Sequence, residues 1–268
     1  MLRFSGRGVS DVGLVRPHNE DAAFLGPYVA LVADGVGGAA AGEVASATTA
    51  YAVSATALAR FGDDPVEIIR RGISHARTSL RLGVQEDLSR AGMATTLTML
   101  VCDGSRVLLG HVGDSRAYRL RDGLLTQVST DHTYVQHLVD TGQLPREGVR
   151  SHPWRNVVMR SLDGNRDAAE VEADVVDLGA RVGDRFLLCS DGLSDLVGDA
   201  DIAEGLLVDD PHSAAATLTQ AALEAGGRDN ITCLVLDVVD GPLVVGDGQV
   251  LGALWDFANI VDPAAVRS

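Results

Sequence analysis

The chain has 268 residues, 46% of them hydrophobic and only 4% aromatic, which is a globular composition with a core of aliphatic side chains. Its formal net charge is -15 and it contains no lysine, so every fixed side-chain cation is an arginine. This acidic balance argues against nucleic acid and anionic membranes as electrostatic partners, and no apolar run approaches the ~20 residues of a membrane span.

Seven stretches are predicted to be strands by their apolar and β-branched residues: 28–34, 95–103, 105–112, 115–121, 124–129, 185–190 and 231–239. Asp-Gly pairs at 103–104 and 122–123 predict tight hairpins, so we expect an antiparallel meander over 95–129. Apolar spacings of three and four predict helices over about 41–60, 65–90, 131–142 and 200–225. Strands grouped with strands and helices in pairs favour antiparallel sheets flanked by helices.

The loop after the first predicted strand resembles a nucleotide-binding turn, because Gly35, Gly37 and Ala40 have the G-x-G-x-x-[GA] spacing. A dinucleotide fold needs a second strand about 20 residues later, ending in an acidic residue. The chain instead continues there with the helical pattern TTAYAVSATALAR. Asp34 would also repel a pyrophosphate, so we reject this interpretation.

Aspartates recur at the ends of the predicted strands. Asp34 and Asp191 each close a strand and precede a glycine, Asp229 lies just before the last strand, and Asp114 separates two strands. A single such residue is most often a turn former. Four at strand ends are expected to meet at one rim, where carboxylates need a cation between them. Oxygen ligands favour Mg²⁺ or Mn²⁺, and a pair of such ions can activate a water and hold phosphate oxygens.

Arg16 offers the planar donor that phosphate recognition favours, although a lone arginine is more often a surface residue. It opens the first of seven motifs, which follow in this order: RPHNED (16–21), DGVGGAAAGEVAS (34–46), GMATTLT (92–98), VGDSRAYRLRDGLLTQVSTDH (112–132), HPWRN (152–156), LLCSDGLSDLV (187–197) and RDNIT (228–232). Together they resemble the metal-dependent PP2C-type (PPM) protein serine/threonine phosphatases in their compact bacterial form. The resemblance implies an α+β fold, a four-layer α-β-β-α sandwich of two antiparallel β-sheets flanked by helix pairs.

The resemblance also implies a metal-ligand set, Asp34, Gly35, Asp114, Asp191 and Asp229. Asp34 would bridge two Mn²⁺ or Mg²⁺ ions, with the Gly35 carbonyl on one of them and Asp191 and Asp229 completing the other. Asp114 would share a third, weaker ion with Asp191.

The catalytic residues implied are Arg16, Glu20 and Asp21. Arg16 would grip the substrate phosphate, and Glu20 and Asp21 would hold metal-bound waters. The implied activity is hydrolysis of phosphoserine and phosphothreonine on proteins by direct attack of a metal-bridging water, opposing Ser/Thr kinases in bacterial signalling. No covalent phosphoenzyme is expected.

The chain departs from many relatives at two positions, because Val36 and Ala39 stand where a histidine could donate a proton to the leaving alkoxide. We therefore expect activity to favour acidic leaving groups. The region 141–159 corresponds to the family's mobile flap, and its His152 and Trp154 are expected to touch substrate or to pack within the flap.

Two alternative functions stay open at this point. One is a catalytically weak pseudophosphatase that binds a phosphoprotein or kinase as a scaffold, and the other is a two-metal hydrolase of nucleotides or small phosphates. The phosphatase domain is predicted over 1–240, followed by an extension over 241–268 with a short helix around 249–260. This extension would pack back on the domain or bind a partner. Three well-separated cysteines in apolar runs and the lack of a signal-like opening favour a cytoplasmic protein, which we expect to be monomeric.

Overall fold

The computed structural model describes residues 1–36, 41–165, 172–246 and 248–261. The strands in these ranges are β1 (Leu2–Asp11), β2 (Asp21–Leu25), β3 (Val29–Val36), β4 (Ala94–Thr95), β5 (Leu97–Cys102), β6 (Val107–Val112), β7 (Arg116–Arg121), β8 (Leu124–Gln127), β9 (Leu162–Asp163), β10 (Asp174–Asp177), β11 (Arg185–Cys189), β12 (Ile231–Asp240) and β13 (Gln249–Gly252). The helices are α1 (Gly42–Ala59), α2 (Pro65–Glu86), α3 (Tyr134–Asp140), α4 (Asp191–Ser194), α5 (Asp199–Gly205) and α6 (Pro211–Glu224). Single 3₁₀ segments lie at Leu88–Arg90, Arg146–Ser151, Ala253–Trp255 and Phe257–Asn259.

The strands form two antiparallel sheets. The first has the order β1-β12-β11-β7-β8 and the second the order β10-β6-β5-β3-β2-β13, with the short strands β4 and β9 attached beside β3. The long pairing of β1 with β12 joins the two ends of the chain, from Leu2 opposite Asp240 to Asp11 opposite Ile231.

Buried apolar side chains form three layers, one at each face where elements meet. Phe4, Leu100 and Phe186 belong to the layer between the two sheets. A second layer, which includes Val53 and Ile69, lies between the second sheet and helices α1 and α2, and a third lies between the first sheet and helices α4 to α6. The predicted α-β-β-α sandwich is therefore confirmed.

Local signals place the long helices. At the start of α2, Asp64 accepts a hydrogen bond from the Val66 amide and Pro65 occupies the first helical position. Asp210 and Pro211 start α6 in the same way. The helix predicted over 200–225 is consequently two helices, because the Asp210-Pro211 start separates α5 from α6.

Two sequence predictions are wrong. The stretch 95–129 is not one meander, because β6 lies in the second sheet and β7 in the first, so the chain crosses between sheets at 113–115. The helix expected around 249–260 is instead strand β13, which pairs with β2, followed by two 3₁₀ turns. This segment packs back on the domain: the Thr48 hydroxyl of α1 donates to the Asn259 carbonyl and accepts from the Val261 amide. None of the described helices is long and apolar enough to cross a membrane.

Candidate metal centre and active site

Asp34 and Asp21 lie side by side on neighbouring strands, because β2 and β3 pair with these two residues in register. The backbone of Asp34 is fixed by β4 and β5. Its amide donates to the Thr96 hydroxyl at 3.0 Å and its carbonyl accepts from the Thr95 hydroxyl at 2.8 Å. Burial, and then the charge of Asp21, raise the pKa of the Asp34 carboxyl well above its ordinary value.

Asp21 is fully buried and is held by hydroxyls at one edge of the first sheet, where β11 ends and β12 begins. One carboxylate oxygen accepts hydrogen bonds from the Ser190 and Thr232 hydroxyls, both at 2.7 Å. The other oxygen, Oδ1, is buried without a hydrogen-bond partner among the described residues. Burial raises the pKa of Asp21 to about 6, although both hydroxyls act in the opposite direction.

A glycine is required at position 35 because three chain segments approach one another closely there. Its amide donates to the Glu20 carbonyl at 3.1 Å, and a Cβ atom here would lie 2.7 Å from the Gly42 backbone and 2.9 Å from the Glu20 oxygen. Burial, and then the charge of Glu43, raise the pKa of Glu20. The carboxylate of Glu20 lies against Gly42, at the start of α1. Gly37, Ala39 and Ala40, which the sequence analysis singled out, lie outside the described residues.

Asp114 and Asp191 line one cavity of about 190 Å³. Asp114 sits where the chain crosses between the sheets, and Asp191 is the first residue of α4, directly after strand β11. Burial raises the pKa of Asp114 to about 7, and burial followed by the charge of Asp114 raises that of Asp191 well above its ordinary value. Asp191 is followed by Gly192 because a Cβ there would lie 1.9 Å from the Asn230 carbonyl oxygen.

Asp229 is half-exposed and forms an ion pair with Arg16, whose Nη2 donates to Oδ2 at 2.7 Å. This hydrogen bond is the largest cause of the raised pKa of Arg16. The structure thus brings the residue expected to grip phosphate directly onto a residue expected to hold metal.

The donor chemistry of these residues suits a hard divalent cation. The carboxylates of Asp34 and Asp191 accept no hydrogen bond from any described residue, and Asp21 keeps one buried oxygen unpartnered. Mutual repulsion and burial both disfavour their charged forms, which is the situation that a bound cation relieves. Within the described ranges, however, no three acidic, histidine or cysteine side chains form a closed metal cluster as they stand. The individual ligand assignments therefore stay predictions.

Sequence reasoning quoted Asn230 in the motif RDNIT but gave it no role. Its side-chain amide donates to the Val12 and His18 carbonyls, both at 2.9 Å, and its carbonyl accepts from the Glu20 amide at 2.7 Å. Asn230 therefore fixes the loop that carries Arg16 and Glu20 onto the start of β12. Its position directly after Asp229 was the available signal.

The predicted flap is tied to α4 by two arginines. Arg150 donates to the carbonyls of Ser194 and Val197, and Arg155 pairs with Asp195 at 3.2 Å. His152 and Trp154 pack against each other, with ring centroids 6.0 Å apart, and Trp154 stays 57% exposed.

The chain is similar to known protein phosphatases over most of its length. A family model described as protein phosphatase 2C matches residues 18–225. The serine/threonine protein phosphatase PstP of Mycobacterium tuberculosis is 43% identical over 240 residues, which cover 90% of this chain and 46% of that protein. The chain thus spans less than half the length of this relative. The serine/threonine phosphatase stp of Listeria monocytogenes is 33% identical over 85% of this chain and 93% of its own length.

Solved structures give the same picture. A crystal structure of the PstP phosphatase of Mycobacterium tuberculosis superposes with a TM-score of 0.80 and 42% identity, covering 88% of this chain and 98% of that one. The catalytic domain of PstP in complex with two manganese ions superposes with a TM-score of 0.78 and 41% identity, covering 90% and 100% of the two chains.

Proposed function

Because the chain belongs to the protein phosphatase 2C family, we propose that it is a metal-dependent protein phosphatase that hydrolyses phosphoserine and phosphothreonine on proteins. One observation carries the proposal. Asp21, Asp34, Asp114 and Asp191 come from both sheets, and burial followed by repulsion from neighbouring carboxylates raises the pKa of each. Such a cluster disfavours an uncompensated charged state and offers oxygen ligands to a cation.

Asp34, Asp191 and Asp229, with the Gly35 carbonyl, would hold two Mn²⁺ or Mg²⁺ ions, and Asp114 a third with Asp191. Bound there, such ions supply Lewis-acid activation of water and a clamp on phosphate oxygens. The complex of PstP with two manganese ions supports the choice of metal.

The other roles fall to protein groups. Arg16 presents a guanidinium fork that matches two phosphate oxygens, once it leaves Asp229. Glu20 and the buried Asp21 orient water in the site, and Asn230 keeps the loop that carries Glu20 in place. Val36 supplies no proton, so the leaving alkoxide must take its proton from water.

The substrates we propose are phosphorylated proteins, among them Ser/Thr kinases and their targets in bacterial signalling. We further propose that the protein acts as a cytoplasmic monomer, with its three cysteines reduced and buried. The comparisons give no support to a pseudophosphatase scaffold, since they name protein phosphatases.

The test is release of phosphate from a phosphothreonine peptide during a Mn²⁺ titration, with Asp191→Asn as the variant. Asp209→Asn, an exposed aspartate in the loop between α5 and α6, is the matched control. We expect turnover to require metal and to fall at least 100-fold in Asp191→Asn, with the control unchanged. Calorimetric Mn²⁺ binding, measured on the same proteins, separates loss of metal from loss of fold. Tight peptide binding without turnover at saturating Mn²⁺ would instead favour a scaffold.

A further inference from the structure

A groove along one side of helix α2, between the helix and strand β10, concentrates positive charge on an acidic protein. Among the described residues, five arginines and two carboxylates line it, and its volume is about 920 Å³. The arginines are Arg70, Arg71, Arg77, Arg81 and Arg160. Because the whole chain carries a net charge of -15, this groove stands out as a local attractor of anions.

Two of these arginines are not neutralised. Arg71 pairs with Glu67 at 2.5 Å and Arg160 with Asp174 at 3.3 Å. Arg70 and Arg81 form no ion pair with any carboxylate in the described ranges, and the Nε of Arg81 is buried there without a hydrogen-bond partner. Within the described ranges, then, no carboxylate neutralises the guanidinium groups of Arg70 and Arg81.

The charged groups repeat along one face of the helix. Arg70, Arg77 and Arg81 are separated by seven and four residues, which places them on a single stripe of α2, with Arg77 buried in its middle. From Arg70 to Arg81 this stripe is about 16 Å long at the rise of an α-helix. An extended peptide covers that length with about five residues.

The opposite wall of the groove is an open sheet edge. Ala173, Asp174 and Val175 line the groove, and β10 is the last strand of the second sheet. It pairs with β6 on one side and, within the described residues, with no strand on the other. An open edge next to a row of arginines is the combination by which an extended peptide is bound, with main-chain hydrogen bonds for affinity and side-chain charges for specificity.

We propose that this groove binds an extended, phosphorylated segment of the substrate protein, distinct from the phosphate that is hydrolysed. The segment adds a strand to β10, and its phosphate groups meet Arg70 and Arg81. The identity of the ligand rests on the proposed function, whereas the groove's charge and open edge do not. The groove would thereby select substrates that carry several phosphorylated residues.

The first test measures binding without turnover. The probe is a fluorescein-labelled nine-residue peptide with phosphothreonine alternating with valine, and chelator is present so that no phosphate is released. We expect Arg70→Gln/Arg81→Gln to weaken binding at least tenfold. Arg106→Gln is the control, since it removes an exposed arginine that pairs with Asp103 outside the groove, and it should change binding less than twofold. Equal binding by the double variant and the control overturns the proposal.

A second comparison tests the strand pairing. N-methylation of the peptide amides that face β10 should abolish binding, while N-methylation of the alternate amides should leave it intact. If neither series has an effect, the peptide is held by charge alone and the strand addition is wrong. Stronger binding of the protein to anionic vesicles than to the peptide would assign the groove to a membrane surface and overturn the proposal as well.

Kinetics separate this inference from the proposed function. With a multiply phosphorylated peptide, the double variant should raise KM at least tenfold with kcat unchanged, and its turnover of p-nitrophenyl phosphate should equal that of the wild type. Peptide binding without any Mn²⁺-dependent phosphate release would refute the proposed phosphatase activity and would not affect the proposal for the groove. Turnover with the same KM in the wild type and the double variant would support the phosphatase and refute the role of the groove.

Discussion

The buried carboxylate of Asp21 should make the metal-free protein less stable at pH 8 than at pH 5. Its pKa is raised from 3.8 to about 6 by burial, so the folded state holds the proton more tightly than the unfolded chain. In that case stability is highest below the unfolded pKa and falls as the pH rises to about 6. The full shift corresponds to about 3 kcal/mol of unfolding free energy between a pH below 3.8 and pH 8, of which about 1.4 kcal/mol is lost between pH 5 and pH 8.

Other groups change stability over the same pH range, so the measurement must be a difference between variants. Burial lowers the pKa of His111 to about 4, which means that its contribution is lost as the pH falls from 6.5 towards 4. His111 is present in both wild type and Asp21→Asn, and subtraction removes its effect, whereas Asp34, whose pKa the Asp21 charge raises, adds to the difference in the same direction. Asparagine keeps an oxygen for the Ser190 and Thr232 hydroxyls but has no charge.

The assay is urea unfolding at several pH values between 5 and 8 with chelator present. We expect Asp21→Asn to gain stability relative to wild type as the pH rises, by about 1.4 kcal/mol between pH 5 and pH 8, because the remainder of the shift is already lost below pH 5. Glu86→Gln, which alters an exposed carboxylate at the end of α2, should show no such trend. Parallel curves for wild type and Asp21→Asn would refute the reasoning that burial of this carboxylate is an energetic cost that metal binding relieves.

Three further predictions concern the site itself. Gly35→Ala should destabilise the fold by about 1–3 kcal/mol in urea melts, because its Cβ would lie 2.7 Å from the Gly42 backbone, whereas Gly246→Ala, with open space around it, should not. Arg16→Lys should raise KM for a phosphothreonine peptide about tenfold or more in steady-state assays, because a lysine lacks the two-oxygen fork; an unchanged KM would exclude a phosphate contact. Val36→His should increase kcat for the phosphothreonine peptide more than kcat for p-nitrophenyl phosphate. If the variant and the wild type have the same ratio of kcat for the two substrates, no proton donor is missing at this position.

Local sequence patterns were sufficient to predict the elements that have clear apolar runs or capping residues. The apolar runs that became β3, β5, β11 and β12 and the capped helix α2 were all predicted close to their observed bounds. The two Asp-Gly turns were also placed correctly, and the glycines at 104 and 123 have the positive φ that such turns favour. The order of motifs likewise led to the family that the comparisons identified.

Pairing between strands that are far apart along the chain could not be predicted from local sequence patterns. Strand β1 was missed because LRFSGRGVSD mixes arginine and glycine with few apolar residues, and its partner β12 lies more than 200 positions away. Strand β13 was predicted to be helical because the local sequence does not favour an extended backbone. Its extended conformation comes from pairing with the distant strand β2. The chain passes from the second sheet to the first at 113–115 because the two sheets pack together. The hairpin patterns on either side of this crossing do not indicate which sheet each strand joins.

The Arg16–Asp229 ion pair has a consequence for the order in which ligands arrive. A cation held by Asp229 competes with the guanidinium for the same carboxylate, so loading the metal frees the arginine to meet a phosphate. Metal and substrate affinities are then linked, each ligand tightening the binding of the other by the same factor. If Arg16 binds phosphate as proposed, an incoming phosphate would have to displace Asp229 when no metal is bound, so the unloaded protein should bind phosphoproteins more weakly than the loaded protein.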